Sequence, residues 1–176
     1  MNETTTVLQG LDQWMRSMAE VEQELRAFPD TLFYQKPAPD VWCAAEIADH
    51  LHQTDRAIIR LLEAPDGPLT DRDPAGKEQE INTRFSDMGK KYQAFGTLIP
   101  SGPHPEKSSL FPRMEEDKAL LIGLMESRNP FTVCTVFEHR AFGFMTRIEW
   151  ILFLAEHNRR HIRQLQRLAA RIKSVS

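Results

Sequence analysis

The chain has 176 residues, of which 41% are hydrophobic and 27% charged, and its formal net charge is −3. This size and composition suit one domain with a sizeable core, so residues 1–176 are predicted to form a single domain. The mild acidity argues against nucleic-acid binding. No apolar run is long enough to span a bilayer, and residues 1–6 lack the basic region of a signal peptide. A cytoplasmic protein with no membrane partner is therefore expected.

Apolar residues at three- and four-residue steps predict two amphipathic helices early in the chain. The first covers about residues 7–27 and ends at Pro29, after which residues 30–41 are predicted to be a loop. The second covers about residues 44–63. His50 faces inward on this helix, whereas His52, about 200° further round, is predicted to face solvent.

The middle of the chain, residues 65–112, is rich in proline and is predicted to be a long crossover or to hold an extra helix. Within it, five apolar residues at helical spacing predict a helix at about 77–94: Ile81, Phe85, Met88, Tyr92 and Phe95. Another helix is predicted at about 114–127, with an acidic run from Glu115 to Asp117 at the positive end of its dipole. Residues 131–144 are predicted to form a short extended piece or a packed loop.

The last predicted helix begins near Thr146 and extends to about residue 171. Thr146 and Glu149 fit a capping box at its start. Long helices with one buried face each predict an all-α fold, an antiparallel four-helix bundle. The apolar face of this last helix includes two histidines: Trp150, Leu154, His157, His161, Leu165 and Leu168. Its arginines are predicted to form a solvated face rather than a phosphate-binding patch: Arg159, Arg160, Arg163, Arg167 and Arg171.

His157 and His161 are four residues apart on this helix, so both rings can reach one metal ion. Imidazole nitrogen suits zinc, nickel, copper and iron ions. His50, inward-facing on another helix, is the candidate third ligand. The alternative is a set of core histidines satisfied by hydrogen bonds, although two polar rings in one apolar seam are hard to satisfy in this way. Asn158 replaces the general-base Glu of H-E-x-x-H, which argues against a thermolysin-like peptidase.

Two side chains are candidates for orienting these histidines. Glu46 lies one turn before His50 and either bonds the second ring nitrogen of His50, or caps its own helix or faces solvent. Gln164, three residues after His161, either supports that ring or is a packed polar residue. Two further groups are less central: Glu156 is predicted to be exposed, and His139 either approaches the site from a loop or is structural or exposed.

Three motifs resemble one known family, the DinB/YfiT-like superfamily. Residues 42–51, W-C-A-A-E-I-A-D-H-L, resemble its signature W-S-x-x-E-x-x-x-H-L. Residues 139–146, H-R-A-F-G-F-M-T, resemble its stretch H-P-x-x-G-x-x-T. Residues 157–165, H-N-R-R-H-I-R-Q-L, resemble its ending H-x-x-x-H-x-x-Q-[IL], and order and separation match over roughly residues 5–170. Cys43 replaces the usual capping Ser and Arg140 the usual Pro.

The resemblance implies an up-down-down-up bundle that holds a nickel or zinc ion through His50, His157 and His161, often as a homodimer. Some relatives are transferases or isomerases that use bacillithiol, mycothiol or glutathione, and others are described as metal-dependent hydrolases. The expectation is thus a metal-dependent enzyme that activates a water or a thiol toward a small-molecule substrate, with residues 65–112 lining or covering the pocket. The alternative is a non-catalytic binding or structural module stabilised by the metal.

Overall fold

A computed structural model describes the backbone of residues 3–173 and the side chains of residues 6–171. Within that range the chain forms five α-helices and no β-strand, which confirms the predicted all-α class. The expectation for residues 1–6 falls largely outside the described side chains and stays a prediction. None of the helices in the described range is both apolar enough and long enough to traverse a bilayer. The helices are α1 (Glu3–Ala27), α2 (Ala44–Leu62), α3 (Glu78–Ser86), α4 (Lys107–Ser127) and α5 (Arg147–Lys173).

The helices pack as a bundle around an apolar core. α1 packs along α5, and α2 packs against both α5 and α4. Trp14 of α1 and Ile151 of α5 are fully buried, as the helical spacing predicts. Each such side chain stabilises the fold by roughly 1.5–3 kcal/mol. α3, the extra helix within residues 65–112, packs against α5 through the buried side chains of Ile81 and Phe85.

α3 ends at Ser86, so the predicted extent of 77–94 was wrong at its end. The backbone leaves the helical conformation at Asp87, whose carboxylate accepts a hydrogen bond from the Gly89 amide at 3.0 Å. Tyr92 then folds back, and its hydroxyl donates to the Arg84 carbonyl at 3.1 Å. Tyr92 thus packs beside α3 from a loop, and its helical spacing is coincidental.

α4 begins at Lys107, seven residues before the predicted start at 114, and contains Pro112. The start is stabilised by Ser109, whose hydroxyl donates to the Glu106 carbonyl at 2.8 Å, and by Lys107, whose ammonium donates to the Phe28 carbonyl at 2.6 Å. The run from Glu115 to Asp117 therefore lies inside the helix. Since Asp117 is buried, its carboxylate serves packing between helices rather than the helix dipole.

The capping box at the start of α5 is confirmed. The Thr146 amide donates to Glu149 Oε2 at 3.0 Å, and the Glu149 amide donates to Thr146 Oγ1 at 3.2 Å. The same buried carboxylate accepts hydrogen bonds from the Arg72 guanidinium at Oε2, 2.8 Å, and from the Lys77 amide at 3.0 Å. Glu149 therefore joins the segment before α3 to the first turn of α5.

Arg147 fixes the position of α5 relative to α2. Its guanidinium is buried and donates to the carbonyls of Leu62 and Ala64, at 3.2 and 2.6 Å, at the end of α2. It also donates to the Asn129 carbonyl at 3.2 Å. Because a buried cation needs such partners, this network sets the register in which α5 faces α2. Residues 131–144, between α4 and α5, form a packed loop, one of the two predicted alternatives, with an isolated β-bridge between His139 and Gly143.

Candidate metal centre

His50 of α2 meets His157 and His161 of α5 in the interior of the bundle. The Nε2 atom of His157 lies 3.1 Å from Nε2 of His50 and 3.2 Å from Nε2 of His161. One ligand atom from each of the three rings lies within 4.8 Å of the others. The side chains are only 6, 8 and 6% exposed. The predicted inward direction of all three histidines is therefore confirmed, and the helix packing brings them together.

This spacing fits a metal ion. Zinc–nitrogen bonds of about 2.0–2.1 Å at tetrahedral angles place the ligand nitrogens about 3.3–3.4 Å apart. The two Nε2–Nε2 distances that involve His157 are within a few tenths of an ångström of this value. Small outward movements of the rings would complete the geometry. Three neutral imidazoles could thus hold one divalent ion.

The outer nitrogens of two rings fix their tautomers. Nδ1 of His50 donates to the Leu98 carbonyl at 2.8 Å, and Nδ1 of His161 donates to Oε1 of Gln164 at 2.9 Å. Because a carbonyl oxygen only accepts, the proton of each ring is on Nδ1 and the Nε2 lone pair faces the centre. Such partners orient metal-binding histidines and raise their basicity. The predicted contact between Gln164 and His161 is therefore formed.

His157 lies between the other two rings. Its ring stacks on Phe153, with centroids 5.8 Å apart, and meets the edge of Phe85 at 5.8 Å. Its Nδ1 is buried without a hydrogen-bond partner among the described residues. If the proton of His157 is on Nε2, it is shared weakly between the Nε2 lone pairs of His50 and His161. If it is on Nδ1, three Nε2 lone pairs face one another. An ion at the centre would bind all three Nε2 lone pairs at once, with the proton of His157 on its unpartnered Nδ1.

All three rings are held neutral. Burial lowers the pKa of His50, lowers that of His157 well below its ordinary value, and lowers that of His161 to about 3. The neighbouring imidazoles add to the effect on the pKa of His157 and His161, since a second positive ring nearby is repelled. Neutral imidazole is the form that binds a metal. The site is therefore ready to accept an ion near neutral pH without first losing a proton.

Trp42 forms one wall of the centre. Its ring lies 4.9 Å from the ring of His50 and stacks nearly parallel to that of His161 at 6.5 Å. Its side chain is half-buried. Its place in the motif of residues 42–51 was the signal that could have assigned it to the site.

The predicted contact between Glu46 and His50 is not formed. Glu46 instead caps α2: Oε2 accepts from the Cys43 amide at 2.9 Å, and Oε1 pairs with the Lys36 ammonium at 2.8 Å. This is one of the alternatives left open for Glu46, and it follows from its position three residues after the N-cap. The Leu98 carbonyl takes the place at His50 that Glu46 was expected to fill.

Two predictions about exposure were wrong. His52 does not face solvent, because α4 packs on that side of α2, and its Nδ1 pairs with the buried carboxylate of Asp117 at 2.6 Å. Glu156 is buried and forms an ion pair with Arg159. Arg160 binds loop carbonyls after α3, so part of the predicted solvated arginine face is used for packing.

His139 does not join the other three histidines. Its Nδ1 accepts hydrogen bonds from the amides of Ala141 and Phe142, at 3.2 and 3.3 Å, and so supports its own loop. Phe153 lies between His139 and His157 and contacts both rings. Of the roles left open for His139, the structural one is formed.

A family model described as the DinB superfamily matches residues 13–165. The chain belongs to the DinB superfamily. It is 24% identical over 156 residues to the uncharacterized protein YuaE of Bacillus subtilis (strain 168), covering 88% of this chain and 93% of YuaE. No solved structure matched the chain.

As a DinB-superfamily bundle, the protein places its histidine group between two helices, where cofactor sites of helical bundles are commonly found. The ligand group contains three residues, and in the described part of the chain no fourth His, Cys, Asp or Glu belongs to it. Closed tetrahedral sites have four protein ligands, whereas catalytic zinc sites have three and keep one open position. The three-histidine set therefore matches the kind of site that leaves one coordination position free for water or substrate.

Proposed function

We propose that the protein is a metal-dependent enzyme of the DinB superfamily, with one nickel or zinc ion held by His50, His157 and His161. The observation that carries the proposal is the set of three convergent, neutral imidazole nitrogens without a fourth protein ligand among the described residues. The substrate would be a small molecule, because the histidines lie inside the bundle and are 6–8% exposed.

The protein groups around the ion have distinct tasks in this proposal. Leu98 and Gln164 hold the rings of His50 and His161 with Nε2 directed inward. Phe153 stacks on the ring of His157 and, being apolar, limits the approach of bulk water. A bound divalent ion would supply Lewis acidity and lower the pKa of a water or thiol that binds beside it.

Two reactions fit this chemistry, hydrolysis and thiol-dependent S-transfer. A transferase that uses a low-molecular-weight thiol needs cationic groups for its charged cosubstrate. Arg159 and Arg160 are already bound, the first to Glu156 and the second to carbonyls of Asp87 and Lys90. Of these two reactions, hydrolysis requires fewer unassigned groups and is placed first.

A second candidate is a non-catalytic module in which the metal stabilises the bundle. The burial of the triad and its aromatic surroundings favour it, because a dry, packed site is typical of a structural ion. The two candidates differ in the expected effect of His157→Ala. Loss of metal and activity with a fall of only a few degrees in melting temperature supports the enzyme, since any ion that binds only the folded state stabilises it, whereas a fall of many degrees supports the module.

The first experiment is elemental analysis of untagged wild-type protein beside His50→Ala and His161→Ala. We expect about one equivalent of nickel or zinc in the wild type and none in either variant. His104→Ala is the matched control, because His104 is a half-buried loop histidine outside the ligand group, and it should retain the metal. A wild-type protein that binds none of the candidate ions after incubation would contradict the proposal.

A further inference from the structure

The segment between α3 and α4, residues 87–106, is attached to the bundle mainly by polar contacts. None of its side chains is fully buried, and its only regular structure is a short 3-10 turn at Gly96–Leu98. Segments with few buried apolar contacts open at low free energy. The position of residues 87–106, the connecting segment, therefore depends on a small number of hydrogen bonds.

Three of these anchors are spread along the connecting segment. Near its start, Arg160 donates to the Asp87 carbonyl at 2.9 Å. In its middle, His50 donates to the Leu98 carbonyl at 2.8 Å. Near its end, the Tyr34 hydroxyl donates to the Pro105 carbonyl at 3.3 Å. The central anchor is one of the three histidines of the metal centre, and the first anchor precedes another of them, His161, on α5.

We propose that an ion at the three histidines holds the Gly96–Leu98 turn of the connecting segment in its docked position through the hydrogen bond from His50 to Leu98. The inference rests on the proposed metal binding and adds a regulatory role for the same site. It makes the Leu98 carbonyl a positioning group that responds to the ion without touching it.

The physical basis is the tautomer of His50. In a neutral imidazole the proton can be on either nitrogen, and the tautomer with the proton on Nε2 has no Nδ1–H to donate to Leu98. An ion bound at Nε2 removes that tautomer. It also withdraws electron density from the neutral ring, which makes Nδ1–H a stronger donor, in the direction of a charge-assisted hydrogen bond. Metal loading therefore favours the docked segment.

The coupling is reciprocal. If the ion stabilises the docked segment, docking raises the affinity for the ion by the same factor. A substitution that strains the docked Gly96–Leu98 turn, without touching a histidine, should then weaken metal binding. This separates the proposed coupling from a simple requirement for the ligands.

Gly96 offers such a substitution. Its φ is +57°, in the left-handed region, and a Cβ there would meet no atom within 4 Å. Gly96→Ala therefore adds backbone strain without a clash. The strain falls on the turn that directs the Leu98 carbonyl, in which the Leu98 amide bonds the Phe95 carbonyl at 3.1 Å. Gly102 is the matched control, with φ +80° and equally open space, and it lies in a separate turn, four residues beyond the Leu98 carbonyl that bonds His50.

The experiment measures two quantities in wild type, Gly96→Ala and Gly102→Ala, with zinc as the ion. Hydrogen exchange at the amides of Leu98 and Ile99 should be about fivefold slower with zinc than with a chelator in the wild type. Zinc affinity, from competition with a coloured chelator, should fall about fivefold in Gly96→Ala and stay within about twofold of wild type in Gly102→Ala.

The outcomes distinguish this inference from the proposed function. Zinc bound by wild type with unchanged exchange at Leu98 and Ile99, or bound equally by Gly96→Ala and wild type, would overturn the coupling and leave the metal site intact. Equal weakening in Gly96→Ala and Gly102→Ala would also overturn it, since the effect would then not pass through Leu98. No zinc binding by wild type would overturn both proposals.

Discussion

The Nε2 atoms of His50 and His157 lie 3.1 Å apart although 107 residues separate them in the chain. Nε2 of His161 is 3.2 Å from the same atom of His157. One proton on His157 can be shared between the two other rings only in a weak, bifurcated hydrogen bond. One ion, in contrast, binds all three lone pairs, which is why this contact motivates the metal proposal.

The hydrogen bond from His161 to Gln164 predicts an effect on metal affinity. Gln164→Ala removes the acceptor that orients Nδ1 of His161, so the affinity should fall about 10–100-fold. The measurement is a zinc competition titration. Gln166→Ala is the control, because Gln166 lies on the same helix and donates to Glu24 instead. Equal affinities for the two variants would show that Gln164 is only a packed polar residue.

Because the pKa of His139 is lowered in the folded protein, the protein should lose stability in acid. Burial and the nearby Arg84 and Lys77 lower its pKa to about 4 in the folded protein, against an ordinary value of 6.5. Between these values the unfolded chain binds the extra proton, so stability falls as the pH drops from 6.5 toward 4. With allowance for partial exposure, the loss is about 1–2 kcal/mol.

The test for His139 is urea denaturation of wild type and His139→Asn at pH 7 and pH 5. Asparagine retains an acceptor for the Ala141 amide but does not titrate, so the variant should lose less stability between the two pH values. His104→Asn, in another loop, is the comparison. The prediction fails if His139→Asn and wild type lose the same amount.

Asp55 predicts the opposite pH dependence. Burial, followed by repulsion from Asp117, raises the pKa of this carboxyl well above its ordinary value. The folded state therefore retains a proton that the unfolded state releases. Stability is fully present below the ordinary pKa and is lost as the pH rises through the raised pKa. Between the two pKa values, the free energy of unfolding falls by up to about 1.4 kcal/mol for each rise of one pH unit.

Asp55→Asn should remove that dependence. Melting temperatures measured from pH 5 to pH 8 should show the variant gaining on wild type as the pH rises. Asp71→Asn, at an exposed position, should follow the wild type throughout. A variant of Asp55 whose difference from wild type is constant with pH would mean that this carboxyl does not titrate in the range.

Replacement of two glycines outside the site by alanine should have opposite effects on the stability of the protein. A Cβ at Gly67 would lie 2.1 Å from the Val133 carbonyl oxygen, so Gly67→Ala must separate two backbone segments. We expect a loss of about 2–3 kcal/mol. A Cβ at Gly123, inside α4, meets nothing within 4 Å, and Gly123→Ala should stabilise by about 0.5–1 kcal/mol. Guanidinium denaturation measures both, and the same sign for the two would contradict this prediction.

Helical periodicity was sufficient to predict α5, its capping box and the inward direction of His157 and His161, because these depend on one helix alone. The direction of His50 was predictable for the same reason. Their convergence depends on how α2 packs on α5. Arg147 positions the two helices by donating to backbone carbonyls, and because every residue has a carbonyl, the sequence does not show which ones are used. The resemblance to a family, rather than periodicity, supplied that part of the prediction.

Other parts of the site could not be predicted from residue types. Leu98 contributes a backbone carbonyl, which any residue at that position would offer. Tyr92 has helical spacing with Phe85 by coincidence: it packs beside Phe85 from a loop, with ring centroids 6.3 Å apart, after α3 has ended. Similarly, His52 was expected in solvent because a single helix does not reveal that α4 covers its second face.

The separation of the ligands along the chain has a consequence for folding. His157 and His161 are neighbours on α5, so an early, isolated helix could offer an ion only two nitrogens. The third nitrogen arrives only when a loop of more than one hundred residues closes and α2 docks. The ion therefore selects the assembled bundle over partly folded chains, and a free concentration about one hundred times its dissociation constant would stabilise the native state by about 2.7 kcal/mol.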